Sequence, residues 1–474
     1  MSKISRLSDP TPYNGSPSVR ILLERKPANL RMLYRMQTHY GRAWVNQRVA
    51  ETMALWGDCD DRNIPPGQEF TPEEQSQRED AYDEALSVVE QELERASSQK
   101  PLQSAAMEQR LLRAFAQFSA NALHLEPDAI GLLNDQLIPV GLNLSVWARQ
   151  FDPKLTMEGI TQACRNAWTA CGMQPLLGLP IKLTPAILAY SLLYPYSDNY
   201  LDREDLSANE KRRFSQRFLS RLRGEAITAE NHREAAIWAL IELIEDQYPR
   251  YRYPHVFESL IAIHGAQERS IQQVTDRSFD LAELLRLSCE KGGTSVSADA
   301  CLASPALSPQ EMRFAFEWGV LLQLGDDLQD VQEDSRRGSM TLFSLTAKSG
   351  VPLDALAARL LQFGEKVGND MNALPNGSAS LKRLLKMSWR SLIVGAVAES
   401  SGFFSNEFLQ SVEHASPFRF SFLRARRQRL NGRRGLYAGM FELLLNARAV
   451  ASPSLIPTAR SPRDAAPQLQ SPTI

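Results

Sequence analysis

The stretch FAFEWGVLLQLGDDLQDVQEDSRRG, residues 314–338, decides how the rest of this chain is read. Its first half is apolar nearly all round, the pattern of a helix buried in a large core. It then runs without a proline into Asp326, Asp327, Asp330, Glu333 and Asp334. Asp326, Asp330 and Asp334 follow at i, i+4 and i+8, which stacks them on one face of a helix. Like charges at that spacing repel, and buried carboxylates with no compensation take up protons instead. A cation is the simplest compensation, and an all-oxygen donor set suits magnesium. The competing reading is a solvated acidic helix end. The apolar lead-in and the regular spacing favour the first.

Working outward, apolar residues recur at helical spacing and no alternating run is long enough for a sheet, so the fold class is all-α. Thr184-Pro185 is a helix start, and the apolar run behind it leads to Ser197-Asp198-Asn199-Tyr200-Leu201-Asp202-Arg203. Here again a buried helix enters an acidic cluster, with Asp198 and Asp202 at i, i+4. Pro195 is expected to kink or interrupt this helix, and Ser197 to cap a restart. A further helix over 278–303 carries Lys291-Gly292-Gly293-Thr294. Each glycine costs about 1 kcal/mol relative to alanine inside a helix. The pair therefore marks a break, something bulky against the backbone, or a close helix–helix contact. The remaining helices are expected near 27–56, 102–124, 127–171, 207–223, 229–247, 254–275, 353–371, 379–401 and 405–413. An acidic helix over 72–99 is expected to be exposed, and Gly338 to Phe343 to form a loop. A basic run from Arg419 through Arg433 and Arg434 ends at Tyr437. It reads as a solvated helix or as a segment closing over an anion. Residues 1–20 and 451–474, rich in Ser and Pro, are expected to be disordered.

Composition narrows the function classes. At 474 residues with net charge −2, the chain can bury a large core and shows no excess of basic charge for nucleic acid. Five cysteines without a Cys-x-x-Cys pair fit a reducing, cytoplasmic setting. Six scattered histidines argue against a zinc or haem site. No apolar run reaches the roughly 20 residues needed to span a bilayer, and the N-terminus lacks the apolar core of a signal peptide. Peripheral membrane association and a homodimer stay open.

Two helices that each deliver carboxylates from an apolar stem have one joint explanation. They face each other across a pocket and hold magnesium, which binds a polyanion above a greasy cavity. A diphosphate with a long hydrocarbon tail fits both halves.

At these residues the chain resembles the class I isoprenoid synthases. Gln323–Asp334 is similar to their second aspartate-rich motif. Read as Asp-Asp-x-x-Asp-x-x-x-Asp it resembles trans-prenyl diphosphate synthases. Read over residues 330–338, with Arg336-Arg337-Gly338, it resembles phytoene and squalene synthases. Asp198–Asp202 resembles the first motif, with Asn199 in place of its second aspartate, and Lys291–Thr294 falls where those enzymes contact diphosphate. The resemblance covers about residues 180–345. It implies an antiparallel helical barrel over 151–450, preceded by a helical extension over 21–150. It also implies a prenyl diphosphate substrate and Mg2+ on Asp198, Asp202, Asp326, Asp327, Asp330 and Asp334. Lys291, Thr294, Arg336 and Arg337 are the implied catalytic groups. Arg203, Arg286, Arg433, Arg434 and Tyr437 are the implied diphosphate ligands, with Arg277 a further candidate. Arg203 lacks the adjacent arginine usual after the first motif, which argues against standard elongation with isopentenyl diphosphate. The readings are a prenyltransferase joining the cation to a second isoprenoid, or a cyclase acting on one prenyl diphosphate. Outside enzymes, a non-catalytic partner subunit or a plain helical scaffold remain.

Overall fold

The computed structural model describes residues 40–98, 104–201, 203, 205–275 and 279–433. Asp202, Arg277, Arg434, Tyr437 and both expected disordered ends lie outside them. The helices run α1 (Arg42–Gly57), α2 (Pro72–Ser98), α3 (Ser104–Asn121), α4 (Pro127–Leu132), α5 (Ile138–Phe151), α6 (Met157–Met173) and α7 (Pro185–Leu201). They continue as α8 (Ala208–Leu222), α9 (His232–Gln247), α10 (Pro254–Thr275), α11 (Leu281–Ala303), α12 (Pro309–Gln329) and α13 (Val331–Arg337). The last are α14 (Leu342–Lys348), α15 (Asp354–Asn372), α16 (Ala379–Glu399), α17 (Asn406–His414) and α18 (Phe420–Gly432). Among the described residues there is no strand, so the all-α reading stands.

The central pair is α11 and α12, with α10, α1, α6 and α7 packed on α11 and α15 and α16 on α12. α12 begins earlier than the apolar pattern suggests, because Ser308 and Glu311 form a reciprocal capping box with Pro309 behind it. α11 and α12 run antiparallel: Ser288 meets Asp327 near one end of the contact, and Gly293 meets Phe316 further along. The glycine pair does not break α11. A Cβ on Gly292 would lie 2.4 Å from the Gly319 carbonyl oxygen, and one on Gly293 would lie 2.4 Å from the Phe316 ring. The cost in helix propensity is met by two backbones lying in contact.

Three further expectations are corrected. Pro195 sits inside an uninterrupted α7, and the Ser197 hydroxyl donates back to the Leu193 carbonyl (2.9 Å) rather than capping a new helix. The segment after Gly338 is not all loop. Gly338 ends α13 in the left-handed region (φ 76°), and Thr341 then caps α14 with Ser344 as its reciprocal partner. The acidic helix α2 is not simply exposed, nor is the basic helix α18 solvated. They are zipped together: Arg419 to Glu79, Arg426 to Asp83, and Arg429 and Arg433 to Glu90. Glu79 is buried and accepts from both the backbone N–H (2.8 Å) and Nε (3.0 Å) of Arg419. Glu79→Ala should therefore cost about 1–3 kcal/mol, read as a shift in the urea midpoint. A change no larger than that of an exposed substitution would show the zipper to be incidental.

The five cysteines are free and buried, and no described helix is long and apolar enough to cross a membrane.

Candidate active site

Helices α6, α7, α10, α11, α12 and α16 line a cavity of about 610 Å3, within the roughly 300–1,000 Å3 of small-molecule sites. Its walls are mainly apolar and aromatic, with Tyr190, Leu193, Phe218, Leu260, Trp318 and Trp389 among them. Asp198 from α7 and Asp326 from α12 both reach it, together with Lys291 from α11 and Arg165 from α6. Two acidic motifs far apart in the chain are thus brought to one chamber.

Each acidic residue is held differently. Asp198 is buried and accepts from the Ser197 hydroxyl (3.1 Å) and from Gln267 Nε2. Asp327 is turned into the α11–α12 contact, where Ser288 Oγ (2.7 Å) and Gln323 Nε2 (2.8 Å) occupy its two oxygens. Its role is to lock the helix pair. α12 stops at Gln329, and Asp330 (φ −91°, ψ 2°) forms the joint to α13. Its N–H still bonds the Asp326 carbonyl and its own carbonyl accepts from Asp334, both at 2.9 Å, so the i, i+4, i+8 stacking survives the joint.

Electrostatics mark the same three side chains. Asp326 keeps an exposed face on the cavity, yet desolvation by the surrounding helices, with Asp327 and Asp330 adding repulsion, pushes its carboxyl up to about 6, although Arg165 and Lys291 oppose it. Asp334 is pushed up to about 7 by burial first and by Asp327 and Asp330 second. Asp330 is raised by burial against the pull of Arg165 and Arg427. Between the ordinary 3.8 and about 7, the unfolded chain gives up the Asp334 proton that the folded chain keeps, so stability is lost as pH rises. With a chelator present, Asp334→Asn should accordingly melt above wild type at pH 8 and level with it at pH 4. Parallel melting curves across that range would refute the burial of this charge.

Among the described residues no three His, Cys, Asp or Glu side chains converge on a closed metal cage. Magnesium, however, is usually held by one or two carboxylates together with water and substrate phosphates. Asp326, Asp330 and Asp334 are oxygen donors in carboxylate excess, and no described side chain donates a hydrogen bond to them. Their chemistry fits a hard divalent cation.

Of the expected metal ligands, Asp327, Asp330 and Asp334 are not among the residues lining the cavity, and other expected site residues are not brought to it either. Thr294 is buried and its hydroxyl donates to the Glu290 and Lys291 carbonyls (2.7 and 3.3 Å). Arg203 is paired with Asp205 in the loop after α7. Arg286 pairs with Glu283 (2.7 Å) and Glu290 (3.1 Å). Arg337 pairs with Glu333 (2.9 Å), Arg336 is exposed on α13, and Arg433 belongs to the α2–α18 zipper. In their place stand residues that pattern reading passed over. Arg165 and Asn166 interrupt an apolar helix, and Asn166 Nδ2 bridges Ser191 Oγ (3.1 Å) and Asp299 Oδ1 (3.0 Å). Asp299 is fully buried and burial raises its pKa well above the ordinary value. Lys291, Ser295 and Asp299 all line the cavity at i, i+4 and i+8 of α11, a spacing that was available as a signal.

No protein-family model matches this chain, and no curated protein matches it.

Proposed function

We propose that this protein is a magnesium-dependent isoprenoid synthase of the class I kind, which ionises an allylic prenyl diphosphate and passes the prenyl cation to a second isoprenoid. The observation that supports this reading is that Asp198 and Asp326 both line one greasy, aromatic-walled cavity. The antiparallel α11–α12 pair on that cavity is an element the barrel implied by the motif resemblance would contain. Magnesium bound at the carboxylates would supply Lewis-acid stabilisation of the departing diphosphate. Lys291 and Arg165, both on the cavity, are placed to offset the diphosphate charge. Trp168, Trp318 and Trp389 line the cavity, where aromatic rings would attract a carbocation, and the apolar walls would keep water from it.

Ring closure within a single substrate is the second reading, and one observation favours it. Arg203 and Arg286 are each paired with a carboxylate and neither lines the cavity, where Arg165 is the only arginine among the described lining residues. Incubation with Mg2+ and geranyl, farnesyl or geranylgeranyl diphosphate, alone and with isopentenyl diphosphate, decides between them. A longer diphosphate, or a hydrocarbon built from two substrates, means transfer; a ring built from one means cyclisation. Absence of diphosphate release from every substrate would overturn both.

A further inference from the structure

Either branch must end by disposing of a carbocation inside an apolar chamber, and the structure holds a group suited to that step. We infer that His264 is the base that terminates the reaction, taking the proton whose loss turns the last carbocation into a neutral alkene. The inference rests on the isoprenoid-synthase reading above.

His264 projects from α10 into the cavity wall and is otherwise buried, 4% exposed. Its Nε2 lies 3.1 Å from the Ser215 backbone carbonyl. A carbonyl only accepts, so Nε2 carries the hydrogen and Nδ1 keeps the lone pair. No described residue bonds to Nδ1. Behind the ring, Ser215 Oγ sits 3.1 Å from Nε2 and donates to the carboxylate of Glu268, one turn further along α10. The Phe218 ring stands edge-on at 4.9 Å and fixes the plane of the imidazole.

The step balances on these atoms. The C–H bond beside the cationic carbon breaks, and its electron pair becomes the new C=C bond. The proton passes to Nδ1, giving an imidazolium whose charge the Glu268 carboxylate offsets through Ser215. Burial is the main influence on His264 and lowers its pKa, so the neutral, proton-accepting form is the resting one. Asp299, another titratable group on the same cavity, has its ionisation opposed by burial and one oxygen already taken by Asn166 Nδ2 (3.0 Å).

The test uses the full chain with Mg2+ and whichever prenyl diphosphate the wild type consumes, reading diphosphate release and product identity together. Per diphosphate released, His264→Gln should lower the wild-type alkene at least about tenfold, with double-bond isomers or water-capture alcohols in its place. Ser215→Ala keeps the imidazole and severs the route to Glu268, and it should move the products the same way by less. Should His264→Gln fail to fold, Ser215→Ala decides alone. Wild-type product ratios in the folded variants would overturn the inference and leave the departing diphosphate as the base. A wild type that releases no diphosphate would instead remove the reading beneath it.

Discussion

Gly319→Ala will destabilise this protein at or above the top of the roughly 1–3 kcal/mol typical of overpacked cores. The new Cβ would lie 2.0 Å from the Gly292 carbonyl oxygen and 2.7 Å from its carbon, and these are backbone atoms that no rotamer change can move aside. Relief requires α11 and α12 to separate. That separation would strip Ser288 from Asp327 and leave one oxygen of a buried carboxylate without its donor, Gln323 still holding the other. It would also slide Lys291 past Asp326, so activity should fall with stability. Gly395→Ala is the control: it lies in α16 with nothing within 4 Å of its would-be Cβ, and it should stabilise by about 0.4–1 kcal/mol. Urea midpoints of the two variants should move in opposite directions. A Gly319→Ala protein as stable as wild type would mean that the two helices do not approach so closely.

The helices were legible because their signals are local. Thr184-Pro185 announces a helix start whatever the fold around it, and α7 begins at Pro185. The convergence of Asp198 and Asp326 was inferable for another reason: an acidic face on an apolar stem is costly unless something shared compensates it. What could not be read was the allocation of charged partners in space. Nothing in Arg203 or Arg286 themselves distinguishes an arginine waiting for diphosphate from one already held by Asp205 or Glu283. The zipper between α2 and α18 joins segments more than three hundred residues apart in the chain, a register no local pattern carries. The same limit hid His264 and Asn166. His264 is a lone polar residue in an apolar run and Asn166 sits beside Arg165 in another, and only the neighbouring helices show that they face a cavity and not a surface.

Asp326→Ala should have the largest effect on turnover of any single change at the site, lowering diphosphate release by about 10²–10³-fold, and Asp198→Ala should act alike. The reason lies in how these side chains are held. Asp327 already spends both oxygens on Ser288 and Gln323, so its loss should show first in the urea midpoint. Among the described residues Asp326 has no such donor; it faces the cavity and resists ionisation up to about pH 6. A carboxylate kept in that state weakens the folded protein at neutral pH, because the folded chain must lose a proton against burial and repulsion. Asp326→Ala should therefore melt no lower than wild type at pH 8 while turnover collapses. Stability and activity moving in opposite directions is the mark of a residue retained for its chemistry. Magnesium should bear out the same logic, raising the wild-type melting temperature more at pH 8 than at pH 5, and raising that of Asp326→Ala less. If Asp326→Ala releases diphosphate at the wild-type rate, the carboxylates of α12 and α13 are not the site of ionisation, and the acidic face must be explained by packing alone.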